Sequence, residues 1–363
     1  MFFALSFLIM GLIYGYVEWR FVSLLEWSLW IKIAISLLLV PAVFNLWVVL
    51  FFGDVLPQWV VKFISGLQVF LIFLFTATFI IDLSRFLIPV APWFLKVVFC
   101  VLMIASVISV LNAQLPPRVK KVEIQSAFFQ GKTPLKIAQL SDLHIGQGFG
   151  EKWLETVIEK TNALNPDLIL ITGDLVDKSP EELGSVMQKL KSLKASLGVY
   201  IVFGNHEAYH QSDKWRLFFK NNWLEVLNNE HKVIDHMGQK IILGGIDFGA
   251  RYMDEKAESL LEKTFASAPD DGVRLLMAHH PHVFPKAIEK GVALQLSGHT
   301  HGGMVFPVDL LVKLSNKGFL RGIYKKGNSM LYVSNGTGLW GGFPARFISF
   351  NEITLILLKG VQK

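Results

Sequence analysis

Cysteine is nearly absent: Cys100 is the only one in 363 residues. An intrachain disulfide framework is therefore excluded, and so is a thiolate metal site. Charge is equally scarce at the N-terminal end. Residues 1–112 hold only Glu18, Glu26, Asp54 and Asp82 against Arg20, Lys32, Lys62, Arg85 and Lys96. So little polarity does not suit a water-exposed domain of that length. A dense Lys/Arg block is missing as well. The formal net charge of +6 is spread out, which argues against nucleic acid as a partner and leaves anionic head groups or anionic substrates.

What the N-terminal end does have is long apolar runs. A helix needs about 20 residues to cross a bilayer, and runs of about that size lie near 1–17, 29–53, 63–81 and 91–114. Trp19, Trp27, Trp30, Trp47, Trp59 and Trp93 fall near their ends, where amphipathic rings suit the interface. The first run lacks the basic start of a signal peptide. The expectation is an all-α transmembrane region of about four helices over 1–115, acting as an anchor. Pro41, Asn45 and Asp82 are the residues at which those helices would break or bind ions. An even number of spans puts both ends on one side. Arg118, Lys120 and Lys121, just past the last span, tip the soluble part to the cytoplasmic face of a cytoplasmic (inner) membrane.

Residues 116–134 read as a connector, with a possible edge strand at 119–128. From 135 to 363, short β-rich runs end in polar residues and alternate with amphipathic helices. This pattern predicts α/β architecture, with sheets covered by helices and ligands gathered beyond the strand ends. Five of those ends carry hard or borderline metal ligands: Asp142-Leu143-His144, Gly173-Asp174, Gly204-Asn205-His206-Glu207, His279-His280 and Gly298-His299-Thr300-His301. Residues at i and i+2 on an extended strand end point the same way, so Asp142 and His144 can bind one ion together, and His299 and His301 share that geometry. One carboxylate, such as Asp174, can bridge two ions, and Asn205 offers a neutral amide oxygen. Mixed Asp/His/Asn ligation suits Mn²⁺ first, then Fe or Zn²⁺, over all-oxygen cations. Two such ions can hold an activated water between them and clamp a phosphate. His206 is left to donate a proton or stabilise charge. Asp177 and Glu207 could orient the ligand imidazoles.

In order and spacing these motifs resemble the calcineurin-like metallophosphoesterase superfamily. Asn335-Gly336-Thr337-Gly338-Leu339-Trp340-Gly341 and Glu352-Ile353-Thr354-Leu355 resemble the branch of membrane-associated bacterial enzymes of the YkuE/YaeI kind. The resemblance implies a four-layer αββα sandwich over 135–363 and a metal-dependent phosphoesterase. It implies that Asp142, His144, Asp174 and His301 bind one divalent ion, that Asp174, Asn205, His279 and His299 bind the other, and that His206 is the catalytic histidine. The bond cleaved would be a phosphate ester or pyrophosphate, attacked by a metal-bridging hydroxide. The membrane region points to membrane lipids as partners and to a lipid-linked substrate, such as UDP-2,3-diacylglucosamine or a phospholipid. The alternative is a non-catalytic, metal-stabilised binding or regulatory module on an anchor.

The other candidates have plainer expectations. His280 competes with its neighbour for one role, and with His282 it reads as structural or at a substrate edge. His210, His231 and His236 read as surface or loop residues, and Asp247 as a turn residue. Arg346 reads as a surface or ion-pairing residue, with substrate phosphate as its sharper role. The apolar stretch 303–320 reads either as an inward-packing helix and strand or as an interfacial flap that admits acyl chains.

Overall fold

The computed structural model describes residues 2–361 other than 54, 86–89, 147, 223 and 248–253. The chain divides into two compact units, one of residues 1–115 with 304–307 and 340–348, the other of 116–303, 308–339 and 349–363.

The first unit is built on helices α1 (Phe2–Arg20), α2 (Leu29–Val43), α3 (Asn45–Phe52), α4 (Gln58–Ser84) and α5 (Pro92–Gln114). Among the described residues, three regions are long and apolar enough to cross a bilayer by themselves, those of α1, α4 and α5. The predicted second span is instead two helices, α2 and α3, bent by 51°. Pro41 explains the break: it lacks an N–H and crowds the preceding turn, and the helix ends two residues later. Asn45, the first residue past the bend, is buried. Its amide donates to Gln68 Oε1 at 2.7 Å and its Oδ1 accepts from Ser65 at 3.1 Å, so a polar group deep in an apolar bundle is satisfied within the bundle. Asp82 accepts from the Arg20 guanidinium at 2.7 and 3.0 Å and from Tyr16 at 2.7 Å, which ties the C-terminal ends of α1 and α4 together.

Residues 304–307 and 340–348 are far from these helices in sequence yet belong to their unit. The Arg346 amide donates to the Ser109 carbonyl at 2.9 Å, and its carbonyl accepts from Asn112 at 2.9 Å. Phe347 packs edge-on to Phe73, with centroids 5.7 Å apart. Arg346 is wholly buried. The surface reading of this arginine is thus corrected: a short loop carries it in among apolar helices.

The second unit holds twelve strands and seven α-helices among its described residues. In chain order these begin with β1 (Arg118–Ser126), β2 (Leu135–Leu140), α6 (Glu151–Asn162), β3 (Leu168–Thr172), α7 (Pro180–Met187), β4 (Val199–Val202), α8 (Asn205–Tyr209), α9 (Ser212–Asn221) and β5 (Glu225–Val226). They continue with β6 (Glu230–His236), β7 (Gln239–Ile246), α10 (Asp254–Phe265), β8 (Val273–Ala278), α11 (Phe284–Glu289), β9 (Val292–Ser297), α12 (Val308–Ser315), β10 (Gly322–Lys326), β11 (Ser329–Val333) and β12 (Glu352–Gly360).

Two six-stranded mixed sheets form, with orders β1-β12-β2-β3-β4-β5 and β10-β11-β9-β8-β7-β6. Strand β1, in the segment read as a connector, runs parallel to β12 over its whole length and is the edge of the first sheet. The two sheets share one apolar core. Ile137, Leu170 and Val202 of the first meet Leu243, Leu275, Met277 and Leu296 of the second. Alternate residues on the other face of the second sheet, including Ile242, Leu276 and Ala278, pack under α10 and α11. Burial on both faces is why β3, Leu-Ile-Leu-Ile-Thr, has no exposed residue. The result is the expected layering of helix, sheet, sheet and helix. Strands β2, β3 and β4 are mutually parallel, as are β8 and β9, so each sheet delivers its polar loops at one end.

Candidate metal centre

The candidate ligands follow the C-terminal ends of β2, β3, β4, β8 and β9, and the fold brings them together. Asp142, His144 and His301 offer ligand atoms within 4.8 Å of one another, as do Asp142, Asp174 and His279, and His279, His280 and His299. The Asp174 carboxylate faces both sides: Oδ2 lies 3.1 Å from His279 Nε2 and 3.8 Å from His144 Nε2.

The local backbone differs from expectation. Extended geometry was expected at Asp142–His144 and His299–His301, but the strands end earlier, at Leu140 and Ser297. Asp142, His144, Asp174, His299 and His301 all have positive φ, between 46° and 71°. Left-handed backbone costs an L-residue roughly 1 kcal/mol, and Asp and His are among the side chains that tolerate it best. These turns swing the side chains inward. Close glycines make room for them. A Cβ on Gly298 would fall 2.3 Å from Asp142 Oδ2, and one on Gly204 would fall 2.2 Å from Asp174 Oδ1.

Two acids outside the ligand set hold the site. Asp177 Oδ1 accepts from His144 Nδ1 at 2.9 Å and from His206 Nδ1 at 2.6 Å. That pair of hydrogen bonds fixes both tautomers and turns both Nε2 atoms toward the centre. Glu207 was expected to orient imidazoles; it binds backbone instead. Its carboxylate accepts from the amides of Gly204, Asp174, Leu175 and Val176 at 2.5 to 3.2 Å, stapling the turns after β3 and β4. Residues from the C-terminal tail support the first turn. Thr337 and Gly338 amides donate to the carbonyls of Ser141 and Asp142 at 2.7 and 3.0 Å. Buried Glu352 accepts from Asn335 and Tyr332 at 2.7 Å each. These supporting residues carry no ligand pattern, and only the tail motif signalled them.

The donor set fits cations. His279 donates through Nδ1 to the Thr172 carbonyl at 2.7 Å, and its Nε2 lies 3.1 Å from Asp174 Oδ2, where a proton or a cation can sit between them. Buried His144 Nε2 and Asn205 Oδ1 have no hydrogen-bond partner among the described residues. Such groups are costly to bury without a partner, and a cation provides one.

Electrostatics agree. Burial alone would lower the pKa of His279, but Asp174 and Asp142 outweigh it and push it up to about 10. Burial likewise opposes charge on His206, yet Asp174 and Asp177 raise it to about 9. His299 is driven down to about 3 by burial and by the positive His279 beside it. The carboxylates thus draw positive charge into the site.

His280 lies against His299, with ring centroids 3.9 Å apart. His236 is buried, against the surface expectation, with Nε2 3.4 Å from the Thr133 carbonyl. Asp247 forms an ion pair with Arg216.

Comparison with known proteins agrees with this geometry. The family model for calcineurin-like phosphoesterases matches residues 135–303. A zebrafish (Danio rerio) protein described as a transmembrane protein with a metallophosphoesterase domain is 34% identical over 266 residues, 70% of this chain and 60% of that one. An uncharacterised metallophosphoesterase of Campylobacter jejuni is 35% identical over 257 residues, 69% of this chain and 66% of that one. The metallophosphoesterase YkuE of Bacillus subtilis is 30% identical over 237 residues, 62% of this chain and 80% of YkuE. The chain belongs to the calcineurin-like metallophosphoesterase family. It is a membrane-anchored member, with its apolar helices preceding the two-sheet domain.

Proposed function

We propose that the chain is a two-metal phosphoesterase of the bacterial cytoplasmic membrane, with its α/β domain on the cytoplasmic side. The substrate is a lipid-linked phosphate ester or pyrophosphate. The observation that carries the reading is the run of ligand groups that overlap at Asp142 and at His279, with His206 held beside them by Asp177. Asp142, His144, Asp174 and His301 would hold one ion, and Asp174, Asn205, His279 and His299 the other, with Mn²⁺ the best match to these donors. When bound, the ions polarise phosphoryl oxygens and supply an activated water as nucleophile.

The protein's own groups do the rest. Asp177 fixes the His206 ring by accepting from Nδ1 at 2.6 Å. With a proton on Nε2, the ring can pass it to the leaving oxygen as the ester bond breaks. Glu207 keeps the Asp174 and Asn205 turns in register, so that the reacting groups stay oriented. The membrane helices support a substrate that shares the bilayer.

The test uses the full chain in detergent, loaded with Mn²⁺, against chromogenic phosphomonoesters and phosphodiesters. We expect turnover that chelation abolishes. His206→Gln should retain both ions and lose activity by about 10²- to 10⁴-fold, whereas Asp174→Asn should lose metal and activity together. Two bound ions without turnover by the wild type would replace this reading with a non-catalytic module.

A further inference from the structure

Helix α12 turns its apolar side away from the domain. Leu310, Leu311 and Leu314 are 50%, 68% and 77% exposed, and no residue of the helix is buried. Among the described leucines of the second unit only Leu217 is comparably exposed, so three on one eight-residue helix form a patch rather than scatter. The half-buried side of α12 belongs to the metal loop: a Cβ on Gly303 would fall 2.4 Å from Asp309 Cβ. The Arg321 guanidinium also donates to the Gly302 carbonyl at 2.6 Å.

Two observations say what covers the leucines. The first is chain continuity. Residues 304–307, joined directly to Val308, belong to the compact unit of the membrane helices, so α12 starts from that unit. Phe306, 45% exposed, extends the apolar run. The second is charge. From Asp309 to Lys326 there is one acidic residue against Lys313, Lys317, Arg321, Lys325 and Lys326. Exposed leucines flanked by lysines are the composition of a helix lying in the plane of an anionic lipid interface.

We infer that α12 is an interfacial helix, its leucines seated at the boundary of head groups and acyl chains in the bilayer that α1–α5 span. The inference deepens the proposed function and rests on it for its substrate: His301, seven residues before α12, is thereby held at the lipid surface, and the substrate class is a phosphoester with a long acyl or alkyl chain, reached without leaving the membrane.

The experiment has two arms, both on the full chain in nanodiscs of phosphatidylethanolamine and phosphatidylglycerol. In the first, Cys100→Ala removes the only thiol, and a nitroxide is attached after Leu311→Cys or, as a water-exposed reference, after Asp270→Cys. Collisional relaxation should show the Leu311 label favouring oxygen over a water-soluble nickel complex, and the Asp270 label the reverse. A Leu311 label as water-accessible as the reference, or one broadened by a second copy, overturns the inference. In the second arm, hexadecyl and methyl p-nitrophenyl phosphodiesters share one leaving group and differ only in tail. L310S/L311S/L314S should lower the preference for the hexadecyl ester about tenfold or more, as expected for losing several apolar side chains from lipid. An unchanged preference overturns the inference. If the wild type hydrolyses neither ester, the diester form of the proposed function fails, and the label measurement still decides the placement of α12.

Discussion

Five of the seven candidate ligands sit on left-handed backbone, and each of those turns is unfavourable on its own. Their concentration at one point is the mark of a site that the rest of the fold holds in place. Some of the candidate ligands also carry displaced titrations. With His279 raised to about 10, the metal-free protein holds a proton on a ring that a cation must bind in its neutral form. A raised pKa means that lowering the pH through neutrality favours the proton, and affinity for metal falls by about tenfold per pH unit for each such ring. Raising the pH restores it, up to about the pKa of the ring. We therefore expect metal uptake by metal-free protein near neutral pH to release protons. The check is titration calorimetry in buffers of different ionisation enthalpy; heats that do not depend on the buffer would contradict it.

At the scale of elements, the site is made by strand ends from two sheets and kept by groups that bind no metal. Glu207 is the clearest case, with four backbone amides on one carboxylate. Glu207→Gln keeps the shape but turns an amide donor toward amide donors. We expect a loss of about 1–3 kcal/mol, seen as a lower melting temperature of the full chain, together with reduced metal content. A variant that matches the wild type in both would show that the staple is dispensable. Much of this level is legible in the sequence. The alternation of apolar runs and amphipathic helices, and the polar residues after each run, are periodic signals. The double role of Asp177 was readable in part because it lies three residues past Asp174. The four-amide role of Glu207 was not, because hydrogen bonds to backbone leave no trace in side-chain spacing.

At the scale of the whole molecule, the two units are not two sequence segments. Residues 304–307 and 340–348 return to the unit of the helices, with Arg346 hydrogen-bonded to Ser109 and Asn112 and Phe347 packed on Phe73. A fragment of residues 118–363 would expose Phe347 and the buried Arg346 loop and lose those bonds. We expect it to aggregate, or to melt well below the full chain, in size-exclusion and thermal unfolding measurements. A monodisperse fragment with an unaltered melting temperature would show that these loops fold without the helices.

The amino-acid order by itself determined the membrane helices, the alternating α/β domain and the identity of the metal-ligand motifs. Each of these depends on composition or on spacing within a few residues, through apolar length, periodicity and side-chain chemistry. The tertiary structure alone decided three things: that the edge strand expected at 119–128 pairs with the distant β12, that Arg346 is buried among membrane helices, and that Glu207 and Glu352 hold turns together. Those outcomes rest on contacts between residues far apart in the chain. Burial and hydrogen bonding of that kind are properties of the folded arrangement, which no local pattern encodes.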